Sequence, residues 1–260
     1  MIPPRGPGGA ERQGTRPATG PFGIIILAGG RATRLGGADK PGLVVGGRTL
    51  LAAVVAAGTE AGAGRVVVVG PDRPDIADDG GAAAVRFVRE EPPGSGPVPA
   101  LRRGLAELAP RRALAEQALR RGLAEPDGPG GQAEPDGPGG QGARGEPWVA
   151  VLAADLPFLR AAHLRRLLAA AAAAGRDGAA LADDGGRAQW LAGCWRTGAL
   201  RRAAAGYQGS SLHGLLAPLR PVSVSLPPGP GEPPPWLDCD TEQDLRRAQD
   251  LAAGVAGPAR

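Results

Sequence analysis

Residues 22–28 read Phe-Gly-Ile-Ile-Ile-Leu-Ala and run straight into Gly29-Gly30. Such a run has no polar face to turn toward water, so it fits a strand covered on both sides, as in a parallel sheet. Similar runs recur at Val66–Val69 and Val149–Ala153, with weaker ones at Val85–Val88, Ala179–Ala182 and Val222–Leu226. Stretches of helical period lie between them. Val98, Leu101, Leu105 and Leu108 make one apolar stripe, and Leu164, Leu167, Leu168 and Ala171 make another. Thr241 with Asp244 three residues on predicts the capped start of a last helix. Strands alternating with helices predict an α/β chain, a three-layer, doubly wound, mostly parallel sheet of Rossmann-like form.

Composition matters here only through where it departs from that pattern. The 44 glycines and 28 prolines among 260 residues would by themselves suggest low complexity. They concentrate in residues 1–21, 126–147 and 227–235. The expected organisation is a disordered tail over 1–21 and one domain over 22–255, interrupted by a low-complexity insert at 109–147. In that insert AEPDGPGGQ at 124–132 is repeated unchanged at 133–141, and LRRGLAE at 101–107 recurs at 119–125. Tandem duplication inside a surface loop is tolerated because loop-closure entropy grows slowly with length. The insert is expected to carry no function of its own.

Several function classes are excluded or disfavoured. Thirty basic residues against 26 acidic ones leave a net charge of only +4, and the arginines are scattered. A nucleic-acid face would need clustered cations with aromatic platforms. Cys194 and Cys239 have no spacing partner for a metal site and read as small buried hydrophobes. Met1 to Gly20 lacks the apolar run of a signal peptide, and the alanine run at 169–174 is too short to span a bilayer. The expectation is a cytoplasmic protein with neither a membrane nor a nucleic-acid partner.

The stretch with chemical content is Leu27 to Lys40, LAGGRATRLGGADK. It holds the chain's single lysine against 29 arginines elsewhere. Small residues let backbone N–H groups approach an anion, and the cations neutralise it. The pattern is neither a Walker A loop nor the GxGxxG of a dinucleotide fold. Asp155 falls just beyond the end of a central strand, where ligands bind in open α/β sheets. The competing reading makes Asp155 the cap of a helix over 157–168, since aspartate is a favoured cap. Asp238 and Asp240 alternate, so on a short strand they would share a face.

The stretch Leu27-Ala28-Gly29-Gly30, Arg34, Gly36-Gly37 and Asp39-Lys40 resembles the LAGGxxxRMGGxDK signature of the molybdenum cofactor guanylyltransferases, a branch of the MobA-like nucleotidyltransferases. Leu35 stands where the family has methionine. Further stretches resemble the family in order: Gly46 to Leu50, Glu90-Glu91 before Gly96-Pro97, Leu152 to Pro157, and Asp238 to Leu245. Two departures stand out. Asp238 and Asp240 replace asparagines, and Val69-Gly70-Pro71 replaces a turn that carries serine or asparagine.

The resemblance implies transfer of GMP from GTP to the phosphate of molybdopterin or the molybdenum cofactor, with release of pyrophosphate. It implies Mg²⁺ held by Asp155 and Asp240, with Asp238 nearby. Lys40 and Arg34 would act on the phosphates and count, with Asp155, as the catalytic set. Leu27, Ala28, Gly29 and Gly30 would frame base and ribose, and Glu91, or failing it Glu90, would add a nucleotide contact. LAGG rather than LAAG favours guanine. The alternatives are a CTP-using sibling, a transferase to another phosphorylated acceptor, and a non-catalytic nucleotide-binding relative. Molybdoenzyme assembly proteins are the expected protein partners. Gln189, Trp190 and Trp195 fall where the family binds the pterin, although tryptophans there suit a core equally well. His163, His213, Arg201-Arg202 and Arg246-Arg247 read as helix surface.

Overall fold

Ile24, Ile25 and Ile26 have no exposed surface, and their strand, β1 (Phe22–Leu27), lies third in a sheet of seven. The computed structural model describes residues 22–29, 39–73, 76, 83–109 and 147–256. The expectations placed on 1–21, on Gly30, Arg34 and Gly36-Gly37, and on 110–146 lie outside those residues.

The other strands are β4 (Ala63–Val69), β5 (Ala84–Val88), β6 (Trp148–Ala153), β7 (Gly178–Ala182), β8 (Ala188–Arg196) and β9 (Val222–Ser225). Their order is β5-β4-β1-β6-β8-β7-β9. Every strand runs parallel except β8, which is antiparallel to both β6 and β7. The sheet is thus mostly parallel and doubly wound, as its apolar runs predict. A short hairpin, β2 (Val44–Val45) with β3 (Arg48–Thr49), stands apart from it.

Alternate residues of β1 face opposite layers. Ile24 and Ile26 meet Leu51 and Val54 of α1 (Leu50–Ala61), in a cluster shared with Leu164, Leu167 and Leu168 of α3 (Ala161–Ala173). Ile25 and Leu27 meet a second cluster. It holds Leu101 and Leu105 of α2 (Pro97–Glu107), Leu200 of α4 (Thr197–Gly206) and Leu215 of α5 (Leu212–Leu216). Both faces of the central strands are covered, which is why β1 and β6 carry no polar alternation, whereas the edge strand β9, Val-Ser-Val-Ser, alternates. The last helix, α6 (Glu242–Ala256), packs Ala248 against Val45, Leu50, Leu237 and Cys239. The predicted reciprocal cap is present: Thr241 N donates to Asp244 Oδ2 at 2.9 Å, and Asp244 N donates to Thr241 Oγ1 at 3.1 Å.

Four local expectations change. β8 was not legible as a strand, because its sequence AQWLAGCWR does not alternate. Gly193 is required there, since a β-carbon would come within 2.9 Å of the Ala179 carbonyl and 3.3 Å of the Trp195 ring. The segment Asp238–Asp240 forms no strand; it is an unpaired approach to α6. Asp155 caps no helix, because α3 begins at Ala161 behind Arg160, whose N–H donates to His163 Nδ1 at 3.1 Å. Arg201 is not a solvated face residue. It donates to the Leu105 carbonyl at 2.6 Å, while Arg102 donates to the Ala204 carbonyl at 2.9 Å, so α2 and α4 each supply an arginine to the other's last turn.

Candidate functional site

In strand order the chain turns outward from β1 toward β4 on one side and toward β6 on the other. The boundary between β1 and β6 is therefore the switch point of the sheet, where the loops at the carboxyl ends diverge and leave a crevice. The ends of β1, β4 and β6 are in register, with Leu27 opposite both Val69 and Ala153. Ala28 N donates to the Val69 carbonyl at 2.9 Å, and Ala154 N donates to the Leu27 carbonyl at 3.2 Å. These bonds hold the start of the glycine-rich loop and the residue before Asp155 side by side.

Three segments far apart in sequence converge there. Asp155 follows β6 and is buried. Lys40 opens a single 3-10 turn, Lys40–Gly42. Asp240 lies just before α6. The Lys40 ammonium is ion-paired to Asp155 Oδ2 and donates to Asp240 Oδ1 at 2.5 Å. Burial by itself would lower the Lys40 pKa. The charge and hydrogen bond of Asp155, then those of Asp240, more than offset this, so it sits above its ordinary value.

Asp238 shows the opposite balance. Although part of the residue faces solvent, loss of water around its carboxyl comes first, and repulsion from Asp240 and Asp155 adds to it. The carboxyl is pushed up to about 6, with Lys40 opposing. Between the two aspartates, Cys239 points into the core against Val45, Leu50 and Ala248. Burial, then the Asp155 charge, pushes its thiol up to about 12. A thiol held protonated is a poor nucleophile at neutral pH.

Asp155 Oδ2 and Asp240 Oδ1 already share one cation, the Lys40 ammonium. Two carboxylate oxygens meeting at a point suit a small hard cation, provided that other oxygen ligands complete its shell. Among the described residues no group of three or more His, Cys, Asp or Glu is arranged to hold a metal alone. The two carboxylates fit a hard divalent cation such as Mg²⁺ whose shell is completed by oxygens from outside them.

Leu27, Ala28 and Gly29 stand at the neighbouring strand end, with Gly29 exposed and the other two buried. The carboxylate beside Gly29 belongs to Glu90. It is 7% exposed, accepts from Gly94 N at 2.9 Å, and places Oε1 3.5 Å from where a Gly29 β-carbon would stand. Glu91 is exposed. Gly70, where the resemblance leads one to expect serine or asparagine, packs on β1: a β-carbon there would lie 3.0 Å from Ala28 backbone atoms. The glycine is needed for that approach.

On the far side of Asp155, β8 pairs Ala192 with Leu152, so Trp190 and Gln189 extend past the end of β6. Trp190 is half-buried and meets His213 edge-on, with ring centroids 5.4 Å apart. Trp195 is fully buried and belongs to the core. Sequence reasoning missed Arg73, which follows β4 and is ion-paired to Asp39 beside Lys40. An arginine in the turn after a parallel strand was the available signal, and no periodicity marks it.

The MobA-like NTP transferase domain family matches residues 24–222. A molybdenum cofactor guanylyltransferase of Bradyrhizobium sp. (strain ORS 278) is 29% identical over 233 residues, covering 88% of this chain and 92% of that protein. Among solved structures, a nucleotidyl transferase from Methanothermobacter thermautotroptrophicus superposes with a TM-score of 0.58 at 19% identity, over 91% of this chain and 99% of that one. The molybdopterin-guanine dinucleotide biosynthesis protein A of Archaeoglobus fulgidus gives 0.55 at 15% identity, over 89% and 98%. Among the described residues no helix is long and apolar enough to cross a membrane.

Proposed function

We infer, because this chain belongs to the MobA-like NTP transferase family of nucleotidyltransferases, that it transfers GMP from GTP to the phosphate of molybdopterin. The observation that carries this reading is the convergence of Lys40, Asp155 and Asp240 at the sheet's switch point. The named activity of the Bradyrhizobium relative supports guanine and the molybdopterin acceptor.

The reaction forms a bond between a molybdopterin phosphate oxygen and the α-phosphorus of GTP. The bond from that phosphorus to the α,β-bridging oxygen breaks, and pyrophosphate leaves with the electron pair. The attacking oxygen is already anionic, so no side chain need remove a proton. Rate must come from positioning and from neutralising charge that builds on the phosphates. Lys40, paired with Asp155 and Asp240, would do the latter, and the family resemblance adds Arg34 to that role. Asp155 and Asp240 would hold Mg²⁺, which when bound supplies further neutralisation and orients the phosphates. The end of β1, Leu27 to Gly29, would frame base and ribose.

Burial of Glu90 beside Gly29, with Glu91 exposed, supports Glu90 rather than Glu91 as the acidic nucleotide contact. Guanine presents adjacent N1–H and N2–H donors, which a shielded carboxylate accepts well. Losing a hydrogen bond to a charged group costs about 1.5–3 kcal/mol, so Glu90→Ala is expected to raise the KM for GTP by about 10- to 100-fold. Glu91→Ala should change it little. Steady-state kinetics at fixed acceptor checks both, and equal effects would remove Glu90 from the site.

The reading as a whole is tested by offering GTP, CTP and ATP with molybdopterin and Mg²⁺, and following pyrophosphate. Release with GTP and acceptor together supports it. Preference for CTP would assign the chain to the cytidylyl-transferring siblings, and turnover without acceptor would point to a different reaction.

A further inference from the structure

Lys40 can act on the phosphates only if its ammonium is held in the crevice beside Asp155 and Asp240, and the backbone that places it there is one short turn. Within that turn Gly42 N donates to the Asp39 carbonyl at 3.0 Å, and Leu43 N donates to the Lys40 carbonyl at 3.1 Å. Two main-chain bonds are a modest anchor for the root of a loop.

A stronger tie comes from the next strand. Arg73, in the turn that follows β4, pairs its guanidinium with Asp39 Oδ1. The arginine side chain is 11% exposed and the aspartate 61%, so a shielded cation grips a more open carboxylate. Arg73 Nε is buried without a hydrogen-bond partner among the described residues, which makes the guanidinium costly to place unless the Asp39 contact offsets it. Gly42 leaves the room this requires. A β-carbon there would come within 2.6 Å of Asp39 Oδ2 and 2.9 Å of Arg73 Nη1.

We propose that Arg73 is a positioning residue for Lys40: by holding Asp39 against the end of β4, it fixes the turn that delivers the Lys40 ammonium to Asp155 and Asp240. Arg73 does not itself touch the reacting atoms. The effect on turnover rests on the reading of Lys40 given above, whereas the placement of Lys40 can be measured without any substrate.

The single lysine makes that measurement direct. Acylation by an N-hydroxysuccinimide ester, read by peptide mass spectrometry, separates Lys40 from the chain's terminal amine. In the full-length protein Arg73→Ala is expected to raise the Lys40 labelling rate by about threefold or more as the turn loosens. Its kcat should fall by about tenfold while the KM for GTP changes by less than about threefold. Arg73→Lys, which keeps the charge but not the fork, should recover part of both losses. Gly42→Ala keeps every charge and crowds the mobile ends of both side chains, so it should raise labelling in the same direction but by less. Asp39→Asn, which removes the carboxylate charge and keeps its shape, decides the matter if Arg73→Ala fails to fold.

The double variant Asp39→Asn/Arg73→Ala should be no worse than Arg73→Ala alone, as expected of residues that act through each other. Labelling unchanged within about twofold in folded Arg73→Ala, or in Asp39→Asn where Arg73→Ala does not fold, would overturn the proposal, whatever happens to kcat. If the unaltered protein turns over no GTP, the proposed function fails, and the labelling rates still judge Arg73.

Discussion

Asp155→Asn is expected to lower kcat by about 10²- to 10³-fold, the range seen when one preorganised electrostatic group is removed from an active site. Asparagine matches aspartate in shape, so the end of β6 should not repack, and no helix cap is lost because α3 starts at Ala161. What disappears is one of the two charges that share the Lys40 ammonium. Thermal stability should therefore change far less than turnover. Kinetics against GTP over a Mg²⁺ titration, beside a melting curve, checks this. A kcat within tenfold of the unaltered protein, or a loss explained by unfolding, would remove Asp155 from the chemistry.

Lys40→Ala carries the second large effect, and it has two opposite signs. Turnover should fall by about 10²- to 10³-fold, because on the proposed function the phosphates lose a neutralising cation. Divalent-cation binding to the nucleotide-free protein should strengthen. In the unaltered chain the ammonium occupies the point where Asp155 and Asp240 converge, so an incoming cation must displace it. Without the lysine, the two carboxylates are left facing each other with Asp238 close by, and their mutual repulsion is relieved by any cation that enters. Mn²⁺ titration by electron paramagnetic resonance should show tighter binding in the variant by about tenfold, a difference of roughly 1.4 kcal/mol. Weaker Mn²⁺ binding in Lys40→Ala would contradict the arrangement, since it would mean that the lysine supports the cation site instead of competing for it.

The strands read best from the sequence are those buried on both faces, β1, β4 and β6, because full burial leaves a continuous apolar run. The amphipathic helices α2 and α3 were legible for the related reason that one face is buried and its period is 3.6 residues. β8 escaped because its composition is dictated by neighbours. Gly193 answers to the Ala179 carbonyl across on β7, as well as to the Trp195 ring two residues along its own strand, and no local rule encodes the first. The helix C-termini capped by Arg102 and Arg201 escaped likewise, since each arginine serves a carbonyl on the other helix.

The candidate site divides the same way. Lys40 was conspicuous as the single lysine in an arginine-rich chain, and Asp155 as a carboxylate after an apolar run. Their meeting with Asp240, about 200 residues from Lys40 in the chain, follows from the sheet's crossover and could be expected only through the family resemblance. Glu90 and Glu91 are chemically equal neighbours, and periodicity gives no reason to choose between them. The fold chooses: the turn after β5 sends Glu90 inward to Gly94 and Gly29 and leaves Glu91 in water.

The sequence by itself determined the mostly parallel α/β architecture, the glycine-rich loop with its single lysine, and the carboxylates able to serve it. These are local properties, written in runs, spacings and residue types that water and backbone geometry act on directly. Only the tertiary structure decided which carboxylates share the Lys40 ammonium, which glutamate turns toward Gly29, and that Arg73 grips Asp39. Those contacts join segments brought together by packing the sheet between its helices, and packing is a property of the whole chain.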